Sequence, residues 1–181
     1  MVSIEEEQDM IATSDGGTGA TRWTALAFGK HTGLTLPQIA LLDPNWLVWA
    51  WRKRAFCAKG PVAEACEVYA KAQAIRVPGG KVVQYVLWPG TSRLGNINLV
   101  PPGTPCGEGS SCAFLSRVLD LTLPTRLAGG RDPIGDRIIL SVVKHIVLAP
   151  TGGRLTKQVC EEFFSNAANF APTNPAIASW R

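Results

Sequence analysis

The chain has 181 residues, 46% of them hydrophobic and 18% charged, with a formal net charge of +4. That composition excludes an intrinsically disordered chain, and the length suits one domain able to bury a core without metal or disulfide staples. No apolar run reaches the roughly 20 residues of a membrane-spanning helix, so no membrane partner is expected.

Residues 1–21 hold Glu5, Glu6, Glu7, Asp9 and Asp15 and no Lys or Arg, so they carry −5 and the remainder carries +9. We read 1–21 as a flexible acidic tail and 22–181 as a single domain. A basic body favours an anionic partner, and ordinary solubility charge is the alternative. The glycines at 16, 17 and 19 lack the apolar strand and the Lys of a phosphate loop. An acidic start is unlike a signal peptide, and five irregularly spaced cysteines are unlike a disulfide framework. A cytoplasmic location with Cys57, Cys66, Cys106, Cys112 and Cys160 as free thiols is the expectation.

In chain order, Thr24–Phe28 reads as a short strand and Gly29–Gly33 as a turn with a polar tip. Thr35 caps a short helix with Pro37 in its first turn, and Asp43-Pro44 starts a second helix carrying Trp46 to Arg54. Gly60-Pro61 starts a third, with Val62, Ala65, Cys66, Tyr69 and Ala72 on one face. Ala74–Val77 and Lys81–Trp88, split by Pro78-Gly79-Gly80, read as a hairpin, and Ile97–Val100 as a third strand. Pro101–Gly109 is a loop and Ser110–Leu119 a short helix. Pro133–Leu148 is a helix with Ile134, Ile138, Val142 and Ile146 in register. After a turn at Pro150–Gly153, Leu155–Phe170 forms the last helix, with Leu155, Val159, Phe163 and Ala167 inward, and the final eleven residues are irregular. The expected fold is α+β: a helical N-terminal portion, a small antiparallel sheet over about 74–100, and C-terminal helices packed on it.

The most informative stretch is Phe28-Gly29-Lys30-His31-Thr32-Gly33-Leu34-Thr35-Leu36-Pro37, followed by Asp43-Pro44-Asn45-Trp46-Leu47-Val48-Trp49. Two glycines permit a tight turn that leaves Lys30 and His31 at its tip, free to meet a phosphate. Trp46 and Trp49 share a helix face, whereas Trp51 points elsewhere beside Arg52, Lys53 and Arg54. Rings that stack on unpaired bases beside cations that neutralise phosphate make single-strand chemistry. Against this, Trp46 and Trp49 serve equally as core residues, and the basic run as a solvated helix end. The stretch resembles the FGKHxG-type module at the C-terminus of exodeoxyribonuclease X-like proteins and in related bacterial and phage proteins. The resemblance covers about residues 25–54, brings no nuclease domain or acidic exonuclease motif, and implies a nucleic-acid-processing neighbourhood, not an activity.

Other constellations are thinner. Pro133–Phe170 admits a helix-turn-helix reading with Arg154, Lys157 and Gln158 toward the major groove, although Glu161 and Glu162 would repel phosphate; a plain helical hairpin is the alternative. Cys57, Cys66, Cys106 and Cys112 lack zinc-knuckle spacing, so no metal or cofactor is expected. His31 and His145 are the two imidazoles, and a Cys112 or Cys160 nucleophile has no local support. We therefore expect a non-catalytic nucleic-acid-binding or accessory protein for DNA or RNA, with single strand and duplex both open. Lys30, His31, Trp51, Arg52, Lys53, Arg54, Arg154 and Lys157 are the expected contacts. The alternatives are a protein–protein adaptor or homo-oligomer that docks an acidic partner, and a small thiol-dependent enzyme.

Overall fold

A computed structural model of the chain describes residues 22–107, 111–148 and 154–172. The acidic segment 1–21, the turn at 150–153 and most of the last eleven residues lie outside this set. The described residues form an α+β fold with helices at both ends and a small antiparallel sheet between them.

The expected strand at Thr24–Phe28 is an irregular segment that makes one bridge, Ala25 to Thr35. Its Leu26 exchanges backbone hydrogen bonds with Gly33 and Leu34 across the glycine turn. Helix α1 (Leu36–Leu42) follows, with the Thr35 N–H donating to the Gln38 side chain at 3.0 Å. Helix α2 (Pro44–Arg52) begins at Asp43, whose carboxylate accepts the Trp46 N–H at 3.1 Å, so Asp-Pro is the start signal its chemistry implies. A short helix, α3 (Ala55–Lys59), intervenes before α4 (Val62–Ala72). On α4 the expected face holds at Ala65, Tyr69 and Ala72, which are buried, while Val62 is exposed.

The hairpin is not where the Pro78-Gly79-Gly80 signal puts it. That tripeptide is a 3-10 turn with Gly79 and Gly80 at positive φ, and it redirects the chain instead of folding it back. Strand β1 (Ile75–Arg76) pairs with β5 (Val118–Leu119), and β2 (Val82–Leu87) pairs antiparallel with β3 (Leu94–Val100) on one side and β4 (Cys112–Ser116) on the other. Residues 112–119 are therefore strands and not a helix. Phe114 on β4 packs across β2, its ring stacked on that of Tyr85 with centroids 4.8 Å apart.

Cys106 and Cys112 form a disulfide with Cα atoms 5.0 Å apart. The expectation of five free thiols is therefore corrected to three, namely Cys57, Cys66 and Cys160. The pairing follows from β4, because a loop returning to an edge strand brings the two cysteines together. It also removes the cysteine-based ground for a cytoplasmic location. Among the described residues no helix is long and apolar enough to cross a membrane.

Helix α5 (Leu123–Leu127) leads through a glycine turn into α6 (Pro133–Leu148). The buried stripe of α6 runs through Ile139 and Val143, and Ile134 is 49% exposed, so the inward face is rotated from the expected one. Helix α7 (Lys157–Ser165) is shorter than expected and ends in a 3-10 turn, Ala167–Asn169. Its fully inward residues are Cys160, Glu161 and Phe164, again one step round from the expected face. The core joins α1, α2 and α4 to α6, α7 and the sheet through side chains such as Ile39, Leu47, Phe56, Val68, Ile139 and Phe164. Each such burial stabilises by about 1.5–3 kcal/mol.

Candidate nucleic-acid interface

The site is assembled where the glycine turn, the far end of α2 and the glycine turn before α6 meet. Gly29 has φ +74, and a Cβ there would come within 3.1 Å of the Trp46 ring, so only glycine lets the turn lie against the indole. Trp46 is 8% exposed and sits edge-on to His31, with ring centroids 5.1 Å apart, and against Phe28 and Phe56.

The turn does not leave its two tip side chains unpaired. His31 Nε2 lies 2.9 Å and Lys30 Nζ 2.5 Å from Asp43 Oδ2, while Asp43 Oδ1 caps α2. Burial pushes the Asp43 carboxyl up, but hydrogen bonds from Lys30, His31 and the Trp46 N–H together outweigh it and hold its pKa below the ordinary value. His31 thus serves as a positioning residue, with a side chain 15% exposed. Lys30 remains 55% exposed and borders the surface while paired. Asp43, which the sequence suggests only as a helix start, is the centre that holds the turn.

Around this centre lie two adjoining depressions. The larger, about 650 Å³, is bordered by Phe28, Lys30, Trp46, Trp49, Lys53 and Arg54. The smaller, about 370 Å³, has Asn45 and Thr125 in its lining with Trp49, Arg52, Gly130 and Arg131. Lys30, Trp46, Trp49 and Lys53 belong to both. Both volumes are within the range of small-ligand sites. Trp49 stands half exposed between them. Among the described residues none of Arg52, Lys53, Arg54 or Arg131 makes an ion pair, and all four are exposed. Arg54 is also the one described non-glycine residue at positive φ, +53. The left-handed backbone there breaks the helical path between α2 and α3.

Soon after Arg131 in the chain come two buried carboxyls, Asp132 and Asp136, 1% and 7% exposed, each with one oxygen lacking a hydrogen-bond partner. Burial first, then the charges of Asp43 and Asp132, push the Asp136 pKa up to about 7.

Of the expected contacts, Lys30, Arg52, Lys53 and Arg54 converge. Trp51 does not join them: its ring lies on Tyr69, centroids 4.2 Å apart and planes 3° from parallel. The exposed ring is Trp49. Helical spacing offers that signal, since positions 49, 52 and 53 share a face whereas 51 and 52 are neighbours only in sequence. Arg131 escapes a sequence reading because a separate loop carries it. Arg154 and Lys157 border neither depression, and Lys157 lies 4.0 Å from Glu161. Glu161 is 4% exposed, so it is not the surface charge the sequence suggests.

Cys112 is in the disulfide, and Cys160 is buried with its pKa pushed up to about 11 by burial and then by Glu161. Among the described residues no group of three or more His, Cys, Asp or Glu side chains could hold a metal ion. Comparison with protein-family models, curated proteins and solved structures finds no match for the chain.

Proposed function

We propose that the chain binds nucleic acid without chemistry, through the face around Trp49. The observation that carries this reading is the gathering of Arg52, Lys53 and Arg54 with Arg131 of a separate loop around one half-exposed indole, beside a Lys30 already paired with Asp43. Cations so placed neutralise successive phosphates, and the ring offers a base a π-face. Asp43, the one carboxylate among the described residues that borders the depressions, is already neutralised by Lys30. The likeness of residues 25–54 to a module of nucleic-acid-processing proteins supports the same reading.

The test is binding of labelled single-stranded DNA, RNA and duplex across a salt series. Phosphate contacts make log K fall linearly with log salt. Replacing Arg52, Lys53 and Arg54 together by Ala should flatten that slope by roughly 0.7 for each phosphate of a single strand that is no longer neutralised. A folded triple variant with unchanged affinity and slope would remove the site.

Protein docking is the second reading, and it rests on a different surface. Trp88, just after β2, is 53% exposed and Leu115 on edge strand β4 is 36% exposed. A salt-resistant dimer in light scattering that Trp88→Ala dissolves would favour it.

A further inference from the structure

The smaller depression differs from a plain phosphate-binding surface, because two buried polar side chains, Asn45 and Thr125, share its lining with an exposed indole. We infer that it accepts one unpaired nucleobase, stacked on Trp49 and read by Asn45, while the surrounding cations hold the flanking phosphates. This inference rests on the nucleic-acid reading of the same face and adds what enters it.

Three features carry it. First, Trp49 is half exposed on one side of the space, and its ring packs at 6.1 Å, tilted, on the buried Trp46, which fixes the wall. Second, Gly129 and Gly130 also line the space, and an added Cβ at either would meet nothing within 4 Å. The room for a flat ring is therefore made by missing side chains. Third, Asn45 and Thr125 are 8% and 4% exposed, and the Thr125 hydroxyl donates to Asn45 Oδ1. That bond orients the amide, so Nδ2 is the group Asn45 can offer to a base carbonyl or ring nitrogen.

A base inside a duplex cannot reach such a recess, whereas an unstacked one presents both its face and its edge. Arg52, Lys53 and Arg131 border the same recess, so a base that enters brings its own phosphates against cations.

The experiment compares a labelled thymidine 12-mer with an abasic sugar-phosphate chain of equal length at one salt concentration, by fluorescence anisotropy. The full chain should bind the base-bearing oligomer about tenfold or more tightly, the scale of one stacked base. Gly130→Leu adds bulk to the recess while keeping every cation in the sequence, and Gly130 is not at positive φ. It should abolish the preference and leave affinity for the abasic chain unchanged. Trp49→Ala carries the same expectation should Gly130→Leu fail to fold, as judged by circular dichroism. Equal binding of the two oligomers by the unaltered chain overturns the base recess and leaves the phosphate reading standing. A preference that survives in folded Gly130→Leu also overturns it. Binding of neither oligomer overturns both.

Discussion

His31 Nε2 and Asp43 Oδ2 lie 2.9 Å apart, twelve residues from each other in sequence, and this contact ties the glycine turn to the start of α2. Asp43 also caps the helix and holds Lys30, so one carboxylate fixes both the turn and the direction in which α2 carries its tryptophans. Asp43→Ala should destabilise the domain by about 1–3 kcal/mol, combining the loss of a helix cap with the stranding of a partly buried imidazole. Asp43→Asn keeps the cap acceptor and should cost less. Urea unfolding of the two variants measures the order; an Asp43→Asn loss as large as that of Asp43→Ala would show that the charge, and not the cap acceptor, holds the turn, and no loss for Asp43→Asn would refute a role for the charge.

Trp49 and Trp51 should separate function from stability. Trp51→Ala removes a ring stacked on Tyr69 and should cost about 1–3 kcal/mol. Trp49→Ala removes a half-exposed ring and should stay within about 1 kcal/mol while weakening single-strand binding. Paired measurements of unfolding and binding decide it; the reverse pattern would return Trp51 to the role the sequence suggests.

These two residues mark the limit of what the sequence reveals. Local chemistry is legible: Asp43-Pro44 starts a helix, Pro133 begins another that ends at Leu148 as its periodicity indicates, and the glycines make the first turn. Long-range pairing is not. Pro78-Gly79-Gly80 is hairpin chemistry, yet β1 finds its partner at Val118–Leu119, and no local signal carries that contact. Residues 112–119 read as a helix because their strand identity comes from β2, which also brings Cys112 to Cys106. The basic run is legible as charge, but Arg131 joins it only through the packing of α5 and α6 against α2.

Two carboxyls should give stability opposite pH dependences. Asp43, with its pKa below the ordinary 3.8, contributes stability that is present above that value and lost as pH falls through its own folded pKa. Asp136 faces Asp43, Asp132 and Arg131, and its pKa is raised from 3.8 to about 7. Its folded form therefore binds the proton more tightly, and stability falls as pH rises from about 4 to 7. The gap between the two values sets a ceiling of about 4 kcal/mol on that loss. Asp136→Asn keeps the side chain's size and removes the titration, so it should be more stable than the unaltered chain at pH 8 and close to it at pH 5. Urea midpoints at the two pH values provide the check; parallel curves would show that Asp136 does not titrate there.

Arg54 combines charge with backbone strain, at φ +53 and ψ +31 between α2 and α3. A non-glycine residue in that region costs on the order of 1 kcal/mol or more, and such strain gathers at functional positions. Arg54→Gly relieves the strain but loosens the unfolded chain, a penalty of about 0.4–1 kcal/mol, so its stability should stay close to that of the unaltered chain. Arg54→Ala keeps the left-handed backbone and should be the less stable of the two. Both remove the same guanidinium from the rim of the larger depression, so both should weaken nucleic-acid binding equally and flatten its salt dependence by the same amount. Thermal unfolding and salt-titrated binding of the pair separate the two roles. If Arg54→Gly binds as tightly as the unaltered chain, the strained backbone holds Arg54 for a purpose other than phosphate contact.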